Sequence, residues 1–157
     1  MVRFGIGYDA HKFATNRKLI IGNVEIDYPI GLAGHSDADV LIHAIMDAML
    51  GAAALGDIGQ HFPSSDKKLA NIDSGQLLTY VKQMLDKHNY RINNIDSVII
   101  AEQPTFAPYI LDMRERIADI LNIDFDRVSI KATTEDGLGF TGNGQGIAAY
   151  AVVGIEN

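Results

Sequence analysis

Hydrophobic and polar positions alternate between two regimes along this chain. An apolar run predicts a strand over residues 2–8, and Lys18-Leu19-Ile20-Ile21 and Val24-Glu25-Ile26 predict a hairpin turning at Gly22-Asn23 within residues 18–28. A helix is predicted from about Asp37 to Leu55, apolar nearly all round and therefore buried. Ser36 is its expected N-cap, Asp39 the far half of something like a capping box, and Gly56 its stop. Residues 57–73 read as a long loop, of the kind that is often functional. A second helix over residues 75–88 carries the stripe Leu77, Leu78, Val81, Met84 and Leu85. Ile95 to Glu102 reads as a strand. Pro108 opens a third helix to about Asn122, with Leu111, Arg114, Ile117 and Leu121 at helical spacing. Residues 127–133 and 147–155 read as two last strands, separated by a glycine-rich turn. This mixture predicts an α+β, two-layer α/β fold: a mixed sheet of four to five strands with helices on one face.

Composition narrows the function. A length of 157 residues fits one domain, 1–157, and 47% hydrophobic residues suffice for a core. The absence of cysteine removes disulfides and thiolate metal sites. Met1-Val2-Arg3-Phe4-Gly5 lacks a signal-peptide pattern and no apolar run would span a bilayer, so a cytoplasmic protein without membrane partners is expected. A net charge of −7 argues against nucleic-acid binding. It also means that a polyanion can bind only where helix N-termini, metals or local cations reverse the field.

The chemistry concentrates in a few segments. Asp9 and His11 sit two apart at the end of the first strand, so both project from one face, and His43 lies in the first helix. One carboxylate and two imidazoles with a fourth position open is the pattern of a catalytic zinc site. Asp39, His43 and Asp47 are spaced four apart on an otherwise apolar helix, which predicts Asp39 or Asp47 as acceptor for the free ring N–H of His43. His35-Ser36-Asp37 precedes that helix, where backbone N–H groups suit an anion. Thr133, Thr134, Glu135 and Asp136 lead into a run with five glycines in residues 137–146. They could hold a phosphate and a divalent cation, although a plain glycine-rich hairpin accounts for them too. Asp57 is a candidate for sugar hydroxyls or an ordinary turn residue, and His61 and His88 are assigned no role.

Together these segments closely resemble the 2-C-methyl-D-erythritol 2,4-cyclodiphosphate synthase family. The matching stretches are Gly7-Tyr8-Asp9-Ala10-His11, Gly34 to Val40 with His43, Gly51 to Gly59, Phe62-Pro63, Lys131 to Thr134 and Gly139 to Gly142. The resemblance implies a lyase of non-mevalonate isoprenoid biosynthesis. The 2-phosphate of 4-diphosphocytidyl-2-C-methyl-D-erythritol 2-phosphate attacks its β-phosphorus, closes the 2,4-cyclodiphosphate and expels CMP. It implies Zn²⁺ on Asp9, His11 and His43, and Mg²⁺ or Mn²⁺ on Asp136, favoured over Glu135 by spacing. It implies His35 and Thr134 as catalytic residues. The methylerythritol part would meet His35, Ser36, Asp57, Ile58, Gly59, Phe62, Pro63, Ser64, Ser65 and Asp66, and Asp9, Ala10 and His11 would also contact the substrate. The cytidine pocket would comprise Ala101, Glu102, Gln103, Pro104, Thr105, Phe106, Ala107, Ala132, Thr133 and Thr134, with Glu135, Asp136, Phe140 and Asn143 completing the substrate contacts. The family is a homotrimer, its sheets packed around a central axis and its active sites between subunits. Many members carry Arg where Asn143 stands and Glu where Gln145 stands, so weak or no binding of an isoprenoid diphosphate in the axial cavity is expected. Asp9, His11 and His43 would equally serve a zinc-dependent phosphatase or phosphodiesterase that delivers water, or a noncatalytic metal- and nucleotide-binding module.

Overall fold

A computed structural model describes residues 1–157. Seven strands form: β1 Val2–Ala14, β2 Leu19–Ile21, β3 Val24–Ile26, β4 Gly31–Leu32, β5 Arg91–Ile100, β6 Val128–Thr133 and β7 Gly146–Glu156. The helices are α1 Val40–Ala53, α2 Ile58–His61, α3 Ser74–Lys87, α4 Ile110–Leu121 and α5 Gly139–Gly142. The main sheet is five-stranded, ordered β4-β1-β7-β5-β6, with β2 and β3 as a separate hairpin. Only the β5–β6 pair is parallel, so the sheet is mixed, as predicted.

β1 is nearly twice the predicted length, because Asp9 to Lys12 continue the antiparallel ladder against Gly146 to Ala149. Phe13 and Ala14 then pair with β4, a two-residue strand with no signal of its own in the sequence. β5 begins four residues before its predicted start. A register shift between Ile92 and Asn94 breaks the alternation there and hides the strand's first residues.

α1 lies on the sheet across β1 and β7 at close range. A side chain on Gly5 or Gly7 would collide with the backbone carbonyls of Ala48 and Ala44, at 2.0 and 1.9 Å. These glycines share a strand face with Asp9 and His11, since all four are at odd positions. Ala149 and Ala151 of β7 are likewise small and buried on the covered side. The opposite face of β1 and β7 exposes Val2, Phe4, Ile6, Tyr8, Tyr150 and Val152.

α1 starts later and caps differently than expected. Ala38 takes a left-handed φ of 59°, which no helix accepts, so Ser36 cannot be the cap and Asp39 is. Asp39 is completely buried and its carboxylate accepts backbone N–H groups from Gly22, Asn23 and Ile42 at 2.9, 2.7 and 3.1 Å. It therefore ties the β2–β3 turn to the helix start. The other end is closed by Ala54 in the left-handed region, two residues before Gly56. Asp39→Ala strands two buried donors and a half-buried one, each buried one worth about 1–3 kcal/mol, and is expected to lower stability by about 3 kcal/mol. The shift in urea midpoint at unchanged slope checks this.

The predicted loop 57–73 contains α2 and a 3₁₀ turn at Lys67–Leu69, capped by Asp57 and Asp66. Pro108 opens a 3₁₀ turn, Ala107–Tyr109, and α4 follows it. On α4, Ile117 and Leu121 are buried with Met113, whereas Leu111 faces solvent at 61% exposure. The glycine-rich segment holds the short α5 rather than a plain turn. No helix is long and apolar enough to cross a membrane.

Candidate functional site

Asp9 and His11 project from β1 towards His43 on the first turn of α1, and the close approach over Gly5 and Gly7 lets them meet. Asp9 Oδ2 lies 2.8 Å from His11 Nε2 and 2.9 Å from His43 Nδ1, and the two nitrogens are 3.3 Å apart. Tetrahedral zinc with bonds of about 2.0–2.1 Å sets its ligand atoms about 3.4 Å from one another. The histidine–histidine edge has that length, and the two carboxylate edges are somewhat tighter. Asp9 and His11 are half-buried and His43 is buried, so part of the donor set stays open to solvent. The residues present therefore fit a divalent metal with an open position.

Electrostatics agree with this grouping. Burial alone would raise the Asp9 carboxyl, but hydrogen bonds from His11 and His43 hold it down at about 2. Burial would lower His43, but its bond to Asp9 prevails and raises it. In the folded, metal-free protein the raised value keeps a proton on His43 to higher pH, and a metal must displace that proton. Zinc affinity is thus expected to weaken by about tenfold per pH unit once pH falls below the raised value, from a higher pH than an ordinary histidine would give. Competition titrations at successive pH values check this; an affinity flat from pH 8 to 6 contradicts it.

The expected acceptors of the His43 ring are not the actual ones. Asp39 is spent on backbone donors, and Asp47 accepts the N–H of Ile58 at 2.8 Å. Instead His43 Nε2 lies 3.1 Å from both Ser36 Oγ and Ser74 Oγ. Ser74 is fully buried at the start of α3, and its hydroxyl donates to Asp37. Ser74 was not anticipated; the Asp73-Ser74 helix start was its only trace in the sequence. Arg17 was also missed. Its guanidinium donates to the carbonyls of Gly34 and Ser36, at 3.1 and 2.6 Å, and fixes the segment that carries His35.

Two cavities flank these groups. One of about 290 Å³ is lined by His11, His35, Ser36, His43, Ile58, Gly59, Phe62 and Ser64, with Met46, Leu69, Ile72 and Leu77 as its apolar floor. The other, of about 360 Å³, is lined by Ala101, Glu102, Pro104 to Ala107 and Ala132 to Thr134. They share no residue, so His35 and Thr134 stand in different cavities of one chain. Ala10, Pro63, Ser65, Gln103, Phe140 and Asn143 line neither. Asp57 caps α2 through the Gln60 N–H, and Asp66 offers its carbonyl to His35 Nε2 at 3.0 Å. His61 and His88 hydrogen-bond to backbone carbonyls of Leu55 and Met84. Glu135 is engaged by the Thr141 hydroxyl, while Asp136 is exposed with only Thr134 Oγ1 beside it, at 3.4 Å.

Residues 2–156 match the YgbB family. A 2-C-methyl-D-erythritol 2,4-cyclodiphosphate synthase of Clostridium perfringens is 59% identical over 151 residues, 96% of this chain and 97% of that one. The chain belongs to this family. Among solved structures, the bifunctional IspDF of Campylobacter jejuni is 38% identical with a TM-score of 0.95; the match covers 99% of this chain and 42% of that longer one. The Plasmodium falciparum IspF complex with CDP is 32% identical with a TM-score of 0.86, over 98% of this chain and 95% of that one.

Proposed function

We propose that this chain closes 4-diphosphocytidyl-2-C-methyl-D-erythritol 2-phosphate to 2-C-methyl-D-erythritol 2,4-cyclodiphosphate and releases CMP. The observation that carries the reading is a full-length relative of that activity at 59% identity, together with the convergence of Asp9, His11 and His43 beside a ligand-sized cavity. One P–O bond forms between the 2-phosphate oxygen and the β-phosphorus, and the bond to the α-phosphate breaks. Such a transfer is governed by positioning and charge stabilisation.

Asp9, His11 and His43 would hold the zinc ion. Bound there, the ion would supply a Lewis acid and an anchor for a phosphate oxygen. His35 and Ser36 orient the methylerythritol part over the apolar floor near Phe62, and the cavity excludes water from the reacting phosphates. Asp136, free of any basic partner and turned outward, suits the second cation, Mg²⁺ or Mn²⁺; Glu135 is already taken by Thr141. The second cavity, by likeness to the relative that binds CDP, takes the cytidine, and Thr134 at its edge steadies the transferring phosphate.

One substrate must reach both cavities, which share no residue within a chain. A homotrimer that joins one chain's metal site to its neighbour's nucleotide pocket meets this need. The exposed apolar face of Val2, Phe4, Ile6 and Val152 supplies a surface for such packing. Near that arrangement Asn143 and Gln145 leave no charge for an isoprenoid diphosphate.

Phosphorus NMR of the protein with substrate, Zn²⁺ and Mg²⁺ tests the reading. Two coupled cyclic-diphosphate resonances and CMP are expected. Inorganic phosphate, with solvent oxygen incorporated, would replace the synthase by a hydrolase.

A further inference from the structure

The proton inventory around His43 settles which ring nitrogen is free for a metal. Ser74 Oγ has one hydrogen, and it is committed to Asp37 Oδ1, which as a carboxylate can only accept. Ser74 Oγ can therefore only accept from His43 Nε2, 3.1 Å away. That fixes a proton on Nε2, so Nδ1, the atom facing Asp9 and His11, is the nitrogen that gives up its proton and turns its lone pair to a metal. Ser36 Oγ, also 3.1 Å from Nε2, is a weaker constraint, because its hydroxyl hydrogen is committed to no acceptor and can rotate.

Asp37 is built into this arrangement firmly. Its Oδ2 accepts the Ser74 N–H at 2.9 Å and its Oδ1 the Asp39 N–H at 3.1 Å. Its own N–H donates to the Ile72 carbonyl at 3.1 Å, and Asn71 N–H donates to the His35 carbonyl at 2.8 Å. Two segments that reach the site from opposite ends of the 37-residue interval are thereby locked together.

We infer that Asp37 and Ser74 form a positioning relay that orients the His43 ring and presents Nδ1 to the metal. The inference rests on the reading of Asp9, His11 and His43 as metal ligands. It assigns a role to two residues that need not touch substrate. The negative charge of Asp37, passed through the Ser74 hydroxyl, also makes His43 a better donor to a cation.

Ser74→Ala removes the relay but leaves the backbone bonds of Asp37 intact, so it is the principal variant. Asp37→Asn is the second, since its amide can reverse the hydrogen bond and turn the Ser74 hydroxyl towards His43. In competition with a chromogenic chelator, zinc affinity is expected to fall by about 10- to 100-fold in each. Proton NMR of the zinc-loaded full-length protein is expected to show a downfield, slowly exchanging His43 Nε2–H signal that Ser74→Ala loses or shifts. Thermal unfolding of the metal-free Ser74→Ala protein should stay near that of the unsubstituted protein, which separates the relay from a role in folding.

The inference is overturned if a folded Ser74→Ala protein binds zinc within about twofold of the unsubstituted chain and keeps the Nε2–H signal. It is equally overturned if affinity falls only in proportion to lost stability. Failure of the unsubstituted protein to bind zinc would instead sink the ligand reading itself, so the two failures are distinct.

Discussion

His43→Ala is expected to abolish cyclisation, with turnover down on the order of 1000-fold or more, in a protein that still folds. The magnitude follows from comparison. Losing a group that merely supports a ligand costs about 10–100-fold in affinity or activity, and losing the ligand itself costs more. His43 is one of only three donors, and the remaining Asp9 and His11 sit two apart on one strand with no third atom to close the set. Truncation also leaves Ser74 and Ser36 facing a void at a buried position. The helix itself should survive, since α1 is capped by Asp39 and packed through Ala44 and Ala48, neither of which depends on the ring. Zinc content after dialysis, circular dichroism and product formation by phosphorus NMR check the three parts separately. Retained zinc with retained activity would move the metal centre elsewhere; retained zinc without activity would make His43 a catalytic group rather than a ligand.

The grouping of Asp9, His11 and His43 was legible in the sequence because it depends on short-range facts. Asp9 and His11 are two apart on a strand, and His43 is a polar residue in a helix too apolar to carry it without a partner. The hairpin, the second helix and the last strand were legible for the same reason, since period and turn chemistry act within a few residues. What escaped depends on partners distant in the chain. Asp39 read as half of a capping box, yet its carboxylate serves Gly22 and Asn23 of a hairpin turn. Asp47 read as a support for His43, yet it caps the turn into α2 through Ile58. Ser74 and Asp37, 37 residues apart, give no local sign of sharing a hydrogen bond. Leu111 shows the complementary limit: it has helical spacing, but α4 packs through Met113 and Ile117, and the turn before it sets that phase.

Gly7→Ala is expected to damage stability and metal binding together, through one contact. The added carbon would lie 1.9 Å from the Ala44 carbonyl oxygen and 2.8 Å from the Ala48 N–H nitrogen, both backbone atoms of α1. No side-chain rotation relieves that clash, so α1 must lift from β1 or β1 must bend away. Overpacking a well-filled interior usually costs about 1–3 kcal/mol, and a collision with backbone on both sides belongs above that range. A loss of more than about 3 kcal/mol is therefore expected. Gly7 is two residues from Asp9 on the same strand face, and Ala44 follows His43 directly. The displacement that accommodates the methyl thus separates Asp9 from His43, whose atoms now sit 2.9 Å apart. Zinc affinity should fall by more than the roughly 10- to 100-fold expected of a lost supporting hydrogen bond. Gly5→Ala meets the Ala48 carbonyl at 2.0 Å and should destabilise similarly, but from two residues farther along the strand it should disturb the metal less. Urea unfolding and chelator competition on both variants decide between the two accounts. If Gly7→Ala and Gly5→Ala lose stability and zinc in the same ratio, the glycines serve packing alone. If Gly7→Ala loses disproportionately more zinc, the helix–strand approach at Gly7 is what sets the ligand geometry.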